Sequence, residues 1–127
     1  MAETPDDRRY LQSHEWHKVE GDQVRIGITQ FAADELTDVT YVKLPNVGDK
    51  VEAGRAFGEI ESVKATSDLM SGVTGTVTEV NAKLTADPGL VNRDPYNEAW
   101  MIKVKSANPA EVNGLLSLAD YLKGVGH

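Results

Sequence analysis

The apolar residues of this chain recur at every second position in short runs, and glycine, proline or aspartate ends most runs before a helical period can develop. Val24, Ile26 and Ile28 alternate with Arg25, Gly27 and Thr29, the two-residue period of a strand with one face buried. Residues 15–20 supply a partner strand, with Gly21 and Asp22 as turn material between the two. Residues 38–44 are rich in Val, Thr and Tyr and stop at Pro45. Residues 57–62, 75–80 and 100–105 read as further strands. Helix is expected in two places only. One is a short turn over 31–36. The other is a tail over about 108–124, where Asn108 caps a helix with Pro109 at its first position. That tail is amphipathic through Leu115, Leu116, Leu118, Tyr121 and Leu122, and Gly114 interrupts it.

Strands of this length and spacing predict a small barrel or sandwich. With 127 residues, one domain is expected, since a domain takes roughly 100–200 residues. There is a faint internal echo. Residues 48–54 lead into the strand 57–62 much as 72–75 lead into 76–80, which would suit two similar units facing each other.

Thirteen basic against twenty acidic side chains leave a formal charge of −7. Duplex nucleic acid is excluded as a partner, because phosphate contacts need a basic face that no stretch supplies. The absence of cysteine excludes disulfides, thiolate metal sites and a cysteine nucleophile. The longest apolar run is Ala99–Ile102, far short of the ~18 residues that span a bilayer. Residues 1–10 are charged and show neither an export signal nor a transit segment. The expectation is a soluble, acidic, cytoplasmic protein.

Three constellations invite a chemical reading. His14 and His17 flank Glu15 and Trp16, but a zinc helix needs its histidines four apart on one face. These are three apart in a segment that reads as strand, where they point to opposite faces. Ser13, His14 and Glu15 are adjacent in sequence, so they cannot face one another as nucleophile, base and orienter. Gly72-Val-Thr-Gly75 has neither the spacing nor the lysine of a phosphate loop, and no calcium-loop pattern occurs. The third constellation, Gly58 to Asp68, is different. A strand carrying Glu59, Ile60 and Glu61 runs into Ser62-Val63-Lys64-Ala65, and a hairpin there would lift Lys64 to an exposed tip.

At this point the sequence resembles a family, the lipoyl-carrying H protein of the glycine cleavage system. The markers run in order from about Tyr10 to Tyr121: Ser13-His-Glu-Trp16, Ile26-Gly-Ile-Thr29, residues 39–45, Glu61-Ser-Val-Lys-Ala-Thr-Ser-Asp68, residues 75–81, Leu90-Val-Asn92, Pro95-Tyr96 and Trp100. The resemblance implies that Lys64 bears lipoate through an amide, and that lipoylation also depends on Glu61, three residues before it, and Gly75, eleven after it. Val63-Lys64-Ala65 differs from the Met-Lys-Met of biotin carriers and the Asp-Lys-Ala of 2-oxo acid dehydrogenase domains. The implied fold is a flattened β-sandwich of the barrel-sandwich hybrid type, lipoyl-domain-like, with short flanking helices and a C-terminal helix.

The implied function is non-catalytic. Lipoyl-Lys64 would be an arm of about ten bonds reaching on the order of 12–14 Å. It would carry the aminomethyl group of glycine from the pyridoxal-phosphate glycine decarboxylase (P protein) to the tetrahydrofolate-dependent aminomethyltransferase (T protein). Dihydrolipoyl dehydrogenase (L protein) would then reoxidise it, and a lipoylating enzyme is a fourth partner. The loaded arm would fold back against Glu15, Ser13 and Asp68, with Glu15 holding an amine by a charge-assisted hydrogen bond. A monomer suits a shuttle. Two alternatives stay open: an H-like carrier serving lipoyl relay or sulfur oxidation, and a small β-domain enzyme using His14 and Glu15 as acid and base.

The chain departs from the family pattern at Thr37 and Ala99, where glycine is common, and at Gly72, where proline is. Glycine for proline at 72 is expected to loosen a hairpin arm at a cost of about 0.4–1 kcal/mol.

Overall fold

A computed structural model describes residues 4–125. Among the described residues, nine strands form two antiparallel sheets: β1 Arg9–Tyr10, β2 Glu15–Glu20, β3 Gln23–Ile28, β4 Val39–Lys43, β5 Lys50–Val51, β6 Arg55–Ser62, β7 Thr66–Ser71, β8 Gly75–Val80 and β9 Ile102–Ser106. The larger sheet has the order β1-β2-β3-β9-β8-β5 and the smaller one β4-β6-β7. The alternating residues do what their period predicts. Val24, Ile26 and Ile28 of β3, Val77 of β8 and Ile102 and Val104 of β9 meet Val42 of β4, Phe57 and Ile60 of β6 and Leu69 of β7 in one buried cluster. Each buried side chain of this size contributes about 1.5–3 kcal/mol. The fold is therefore the flattened β-sandwich expected, and the two echoing glycine-led units deliver their strands, β6 and β8, to opposite sheets.

A second cluster, built on Tyr10, Trp16, Tyr96 and Tyr121, closes the β1–β2 end of the larger sheet. Trp16 and Gly27 stand opposite each other on β2 and β3. A side chain at 27 would come within 2.5 Å of the indole, so two separate sequence markers are one steric unit. The tail reaches this cluster in two pieces, a 3-10 turn Pro109–Gly114 capped by Asn108 and a helix Leu118–Gly124 capped by Ser117. Between them, Leu116 exchanges backbone hydrogen bonds with Tyr10 at 2.8 and 2.9 Å, and Tyr121 stacks on Tyr10 with centroids 4.8 Å apart.

Three details differ from expectation. Helix is not confined to two places. After α1 Gln30–Leu36, single turns α2 Lys83–Ala86 and α3 Leu90–Arg93 lie in segments too short to show a helical period; the C-terminal helix is α4. The last strand begins at Ile102, two residues later than read, because Trp100 precedes the ladder.

Gly72 is the third. It is buried, its N–H donates to Nε2 of the fully buried His17 at 2.9 Å, and a Cβ there would meet Leu115 at 2.9 Å. The position is packed rather than loosened. Proline would bring its ~0.4–1 kcal/mol unfolded-state gain, but it would leave a buried acceptor unsatisfied at ~1–3 kcal/mol. Gly72→Pro is therefore expected to lower the unfolding free energy by about 1–2 kcal/mol in urea titration, and a stabilised variant would contradict this packing.

Candidate functional site

Strands β6 and β7 pair from Arg55 opposite Ser71 to Glu61 opposite Thr66, which leaves Ser62–Ala65 as the tip. Ser62 organises it. Its hydroxyl accepts from the N–H groups of Lys64 and Ala65 at 3.2 and 3.1 Å, a serine turn in which the side chain replaces a backbone partner. Its own N–H donates to Ala65 O at 2.8 Å. The turn is also tied to the chain beyond α1, since Val63 N–H donates to Asp38 O at 3.1 Å. Lys64 is exposed on this rigid base, and its Nζ donates to Glu35 O at 3.3 Å.

Beside the tip lies a cleft of about 340 Å³. Its apolar wall comprises Ile28, Phe31, Ala32, Leu36, Ile60 and Leu69, and its polar groups include Ser13, His14, Glu15, Glu35, Ser67 and Asp68. Ser13, Glu15 and Asp68, expected to meet an arm on Lys64, are thus brought together. Glu61 is not among them: it lies exposed on the outer face of β6, next to the turn. Gly75 is in the other sheet, where a Cβ would collide with the carbonyl oxygen of Lys105. Its glycine is required by the close approach of β8 to β9, quite apart from lipoylation.

Glu15 is 1% exposed. One carboxyl oxygen accepts from the Ser13 hydroxyl and the other from Met70 N–H at 2.8 Å. Burial raises its pKa to about 7, against the lowering effect of those hydrogen bonds. Met70 lies four residues along β7 from Thr66, or roughly 13 Å at ~3.3 Å per residue. The buried carboxyl is therefore about as far from the turn as a lipoyl-lysine arm reaches. The apolar wall suits a hydrocarbon chain, and the far end suits an amine.

One histidine expectation is corrected, the placement of both rings in one strand. Only His17 lies in the strand, with His14 preceding it. No group of metal-ligating side chains assembles among the described residues. His14 and Glu15 border the same cleft, yet each bonds elsewhere: His14 Nδ1 lies 2.7 Å from Tyr121 Oη. An acid–base pair is not formed.

Sequence reasoning missed the groups that hold α1, the cleft wall. Gln30 N–H donates to the Tyr96 hydroxyl at 2.8 Å. At the other end, Asn92 Nδ2 donates to Thr37 O at 2.7 Å and Asn92 Oδ1 accepts from Val39 N–H at 2.9 Å. Both residues stand in quoted markers, and that was the only signal for them. Ala99 is buried and tightly packed. Thr37 ends α1 at φ 61°, ψ −147°, a region nearly glycine's own. It sits between Glu35 and Asp38, whose carbonyls hold Lys64 and Val63, so this departure borders the tip.

Strain at such a residue costs ~1–3 kcal/mol, more than the ~0.5–1 kcal/mol of extra chain entropy that glycine loses. Thr37→Gly is thus expected to raise the unfolding free energy by about 1 kcal/mol in urea; a loss of stability would show that the backbone is not strained. Glu15 gives a pH signature. Its folded pKa lies above the unfolded value of 4.5, so the native state binds the extra proton and this group's contribution worsens as pH rises. The cost is absent below about 4.5 and complete above about 7. Glu15→Gln should therefore gain stability relative to the native chain across that window, by at most about 3 kcal/mol. A pH-independent difference would refute the raised pKa.

Comparison with known proteins gives a consistent picture. Residues 8–127 match the family described as glycine cleavage H-protein. The glycine cleavage system H protein of Opitutus terrae is 54% identical over 127 residues, covering 99% of this chain and 100% of the relative. The mitochondrial one of Flaveria trinervia is 50% identical, covering 93% of this chain and 72% of the relative. The crystal structure of a glycine cleavage system H protein from Mycobacterium marinum superposes with a TM-score of 0.90 at 38% identity, covering 98% of this chain and 100% of that one.

Proposed function

The chain belongs to the glycine cleavage H-protein family, and from that membership we propose that it carries lipoate as an amide on Lys64 and shuttles the aminomethyl group of glycine. The route runs from the pyridoxal-phosphate glycine decarboxylase to the tetrahydrofolate-dependent aminomethyltransferase, with reoxidation by dihydrolipoyl dehydrogenase. When bound, the dithiolane would supply the redox and group-carrying chemistry; beyond the amide at Lys64, the chain's residues make no covalent bond and break none. A lipoylating enzyme, a cytoplasmic setting and a monomeric state complete the reading, with residues 1–127 acting as one carrier domain. No helix among the described residues is long and apolar enough to cross a membrane.

The observation that carries this reading is the matched distance: an exposed lysine on a rigid turn, and a buried carboxyl roughly 13 Å along β7 in a cleft that begins at the same turn. Each residue then has a task. The Ser62 turn fixes the root of the arm and leaves the amine exposed for acylation, held only by one bond to Glu35 O. Glu61 and the neighbouring outer face of β6 remain accessible to the lipoylating enzyme. Ile28, Phe31, Ile60 and Leu69 exclude water from a docked arm. Glu15, Ser13 and Asp68 hold an amine by hydrogen bonds, which are strongest when carboxylate meets ammonium. Tethering raises the effective concentration of the arm at each enzyme visited, and the acidic surface favours fast, reversible docking on basic patches.

Intact mass of the chain co-expressed with a lipoylation system, beside Lys64→Arg, tests the assignment. One lipoyl amide on the native chain and none on the variant is expected. An unmodified native chain would defeat the carrier reading, and a lipoylated variant would move the site away from Lys64.

A further inference from the structure

His14 adopts φ 81°, left-handed backbone for a non-glycine residue, and its ring sits between Phe31 and Tyr121 with centroids 4.9 and 5.6 Å away. Its Nδ1 lies 2.7 Å from Tyr121 Oη, which lies 2.8 Å from Thr29 Oγ1. Thr29 Oγ1 in turn accepts the N–H of Ala32 at 3.2 Å. Thr29 and Tyr121 are both buried.

Each hydroxyl owns one hydrogen, and that settles the direction of the chain. Suppose His14 Nδ1 carried the proton. It would donate to Tyr121, and whichever of the Tyr121 and Thr29 hydroxyls then donates to the other, the hydrogen of the accepting hydroxyl has no acceptor among the described residues. The reverse order, from Thr29 to Tyr121 to His14 Nδ1, uses every hydrogen and leaves no buried donor unpaired. The imidazole hydrogen is then on Nε2, and His14 is among the residues that line the cleft with Glu15, as it also lines the neighbouring hollow with Gln12 and Tyr121.

Resting on the carrier reading above, we infer that Thr29 and Tyr121 lock His14 as its Nε2–H tautomer, and that His14 offers this neutral N–H at the distal end of the cleft as a hydrogen-bond donor to the sulfur of the arm on Lys64. Sulfur is the acceptor because it keeps lone pairs whatever the arm carries, whereas a protonated amine has only hydrogens to give and suits Glu15 and Asp68 instead. The two kinds of distal atom thus meet two kinds of partner. A cationic imidazole would repel a cationic amine, and burial lowers the His14 pKa, against the smaller raising effect of Glu35. His14 is the contact residue; Tyr121 is a positioning residue that acts through it.

The test is two-bond proton–nitrogen correlation of the full chain labelled with nitrogen-15 histidine, before and after lipoylation, with His14 signals identified by their loss in His14→Gln. His17 is an internal reference of the opposite kind, because its Nε2 accepts from Gly72 and its hydrogen is on Nδ1. The expected spectrum shows His14 as Nε2–H in the unmodified chain, with Nε2 shifting on lipoylation while His17 stays unmoved. An Nδ1–H or averaged His14, or an unmoved Nε2 in a chain whose mass confirms lipoylation, overturns the inference. Failure of lipoylation itself would appear in the mass and overturn the carrier reading instead.

Tyr121→Phe keeps the ring stacked on Tyr10 and removes only the hydroxyl. It should turn His14 into a tautomer-averaged imidazole and shrink the shift of its Nε2 on lipoylation. A native tautomer and a native Nε2 shift in that variant would refute the relay.

Discussion

The bond from Met70 N–H to the buried Glu15 carboxyl is the constraint on which the site depends. It joins β7 of the smaller sheet to β2 of the larger one across the edge of the sandwich, and it sets the depth of the cleft. A carboxyl taken out of water is costly unless it is bonded, and here only two of its acceptor sites are used, by Ser13 and Met70. Glu15 is among the residues that line the cleft. Desolvation outweighs those two bonds, which is why the group titrates near neutrality rather than in the ordinary carboxylate range. A core residue chosen for stability alone would be apolar, so the buried carboxyl is a cost that the fold carries at this end of the cleft.

The second wall depends on α1, a seven-residue helix too short to hold itself in water. It is held by bonds from outside: Thr29 caps its start, Tyr96 takes the N–H of Gln30, and Asn92 bonds the carbonyl of Thr37 at its end. The segment 90–96, α3 and the residues after it, therefore supports the cleft wall, and its Asn92 side chain reaches toward the Lys64 turn through Thr37 and Val39. This arrangement tolerates a threonine in a glycine-like conformation at 37, since the surrounding bonds over-determine the backbone there. The strain is located between the two carbonyls that receive Val63 N–H and Lys64 Nζ.

Elements with a strong local signal were legible in the sequence. The alternation in β3, the Gly21-Asp22 turn and the hairpin tip at Lys64 stand where period and turn chemistry put them. The helical turns at 83–86 and 90–93 were not, because four residues carry no period and their stability comes from Leu84 and Val91 buried by other segments. Grouping Ser13, Glu15 and Asp68 in one cleft came from a family resemblance, for nothing in spacing brings residues 13 and 68 together. Gly72 shows the limit of reasoning by substitution. The exchange of proline for glycine looked like lost rigidity, but its meaning depends on His17, fifty-five positions away, whose acceptor nitrogen needs the N–H that proline lacks.

A carrier faces opposing demands, and the geometry bears on how they are met. The arm must stay docked often enough to shield what it carries, yet leave readily at each partner. Every 1.4 kcal/mol of docking free energy shifts that balance tenfold, so a hold of about 2–3 kcal/mol would leave roughly 1% of arms free. That small fraction suffices only if the root of the arm does not also have to be ordered at each encounter. Ser62 bears on this requirement: its hydroxyl and N–H bond the backbone across 62–65 while Lys64 is exposed. A turn bonded in this way has less backbone ordering entropy to lose at each docking event. The weak donors and mixed lining of the cleft suit such a hold. A tighter and fully satisfied site would shield the cargo better and deliver it worse.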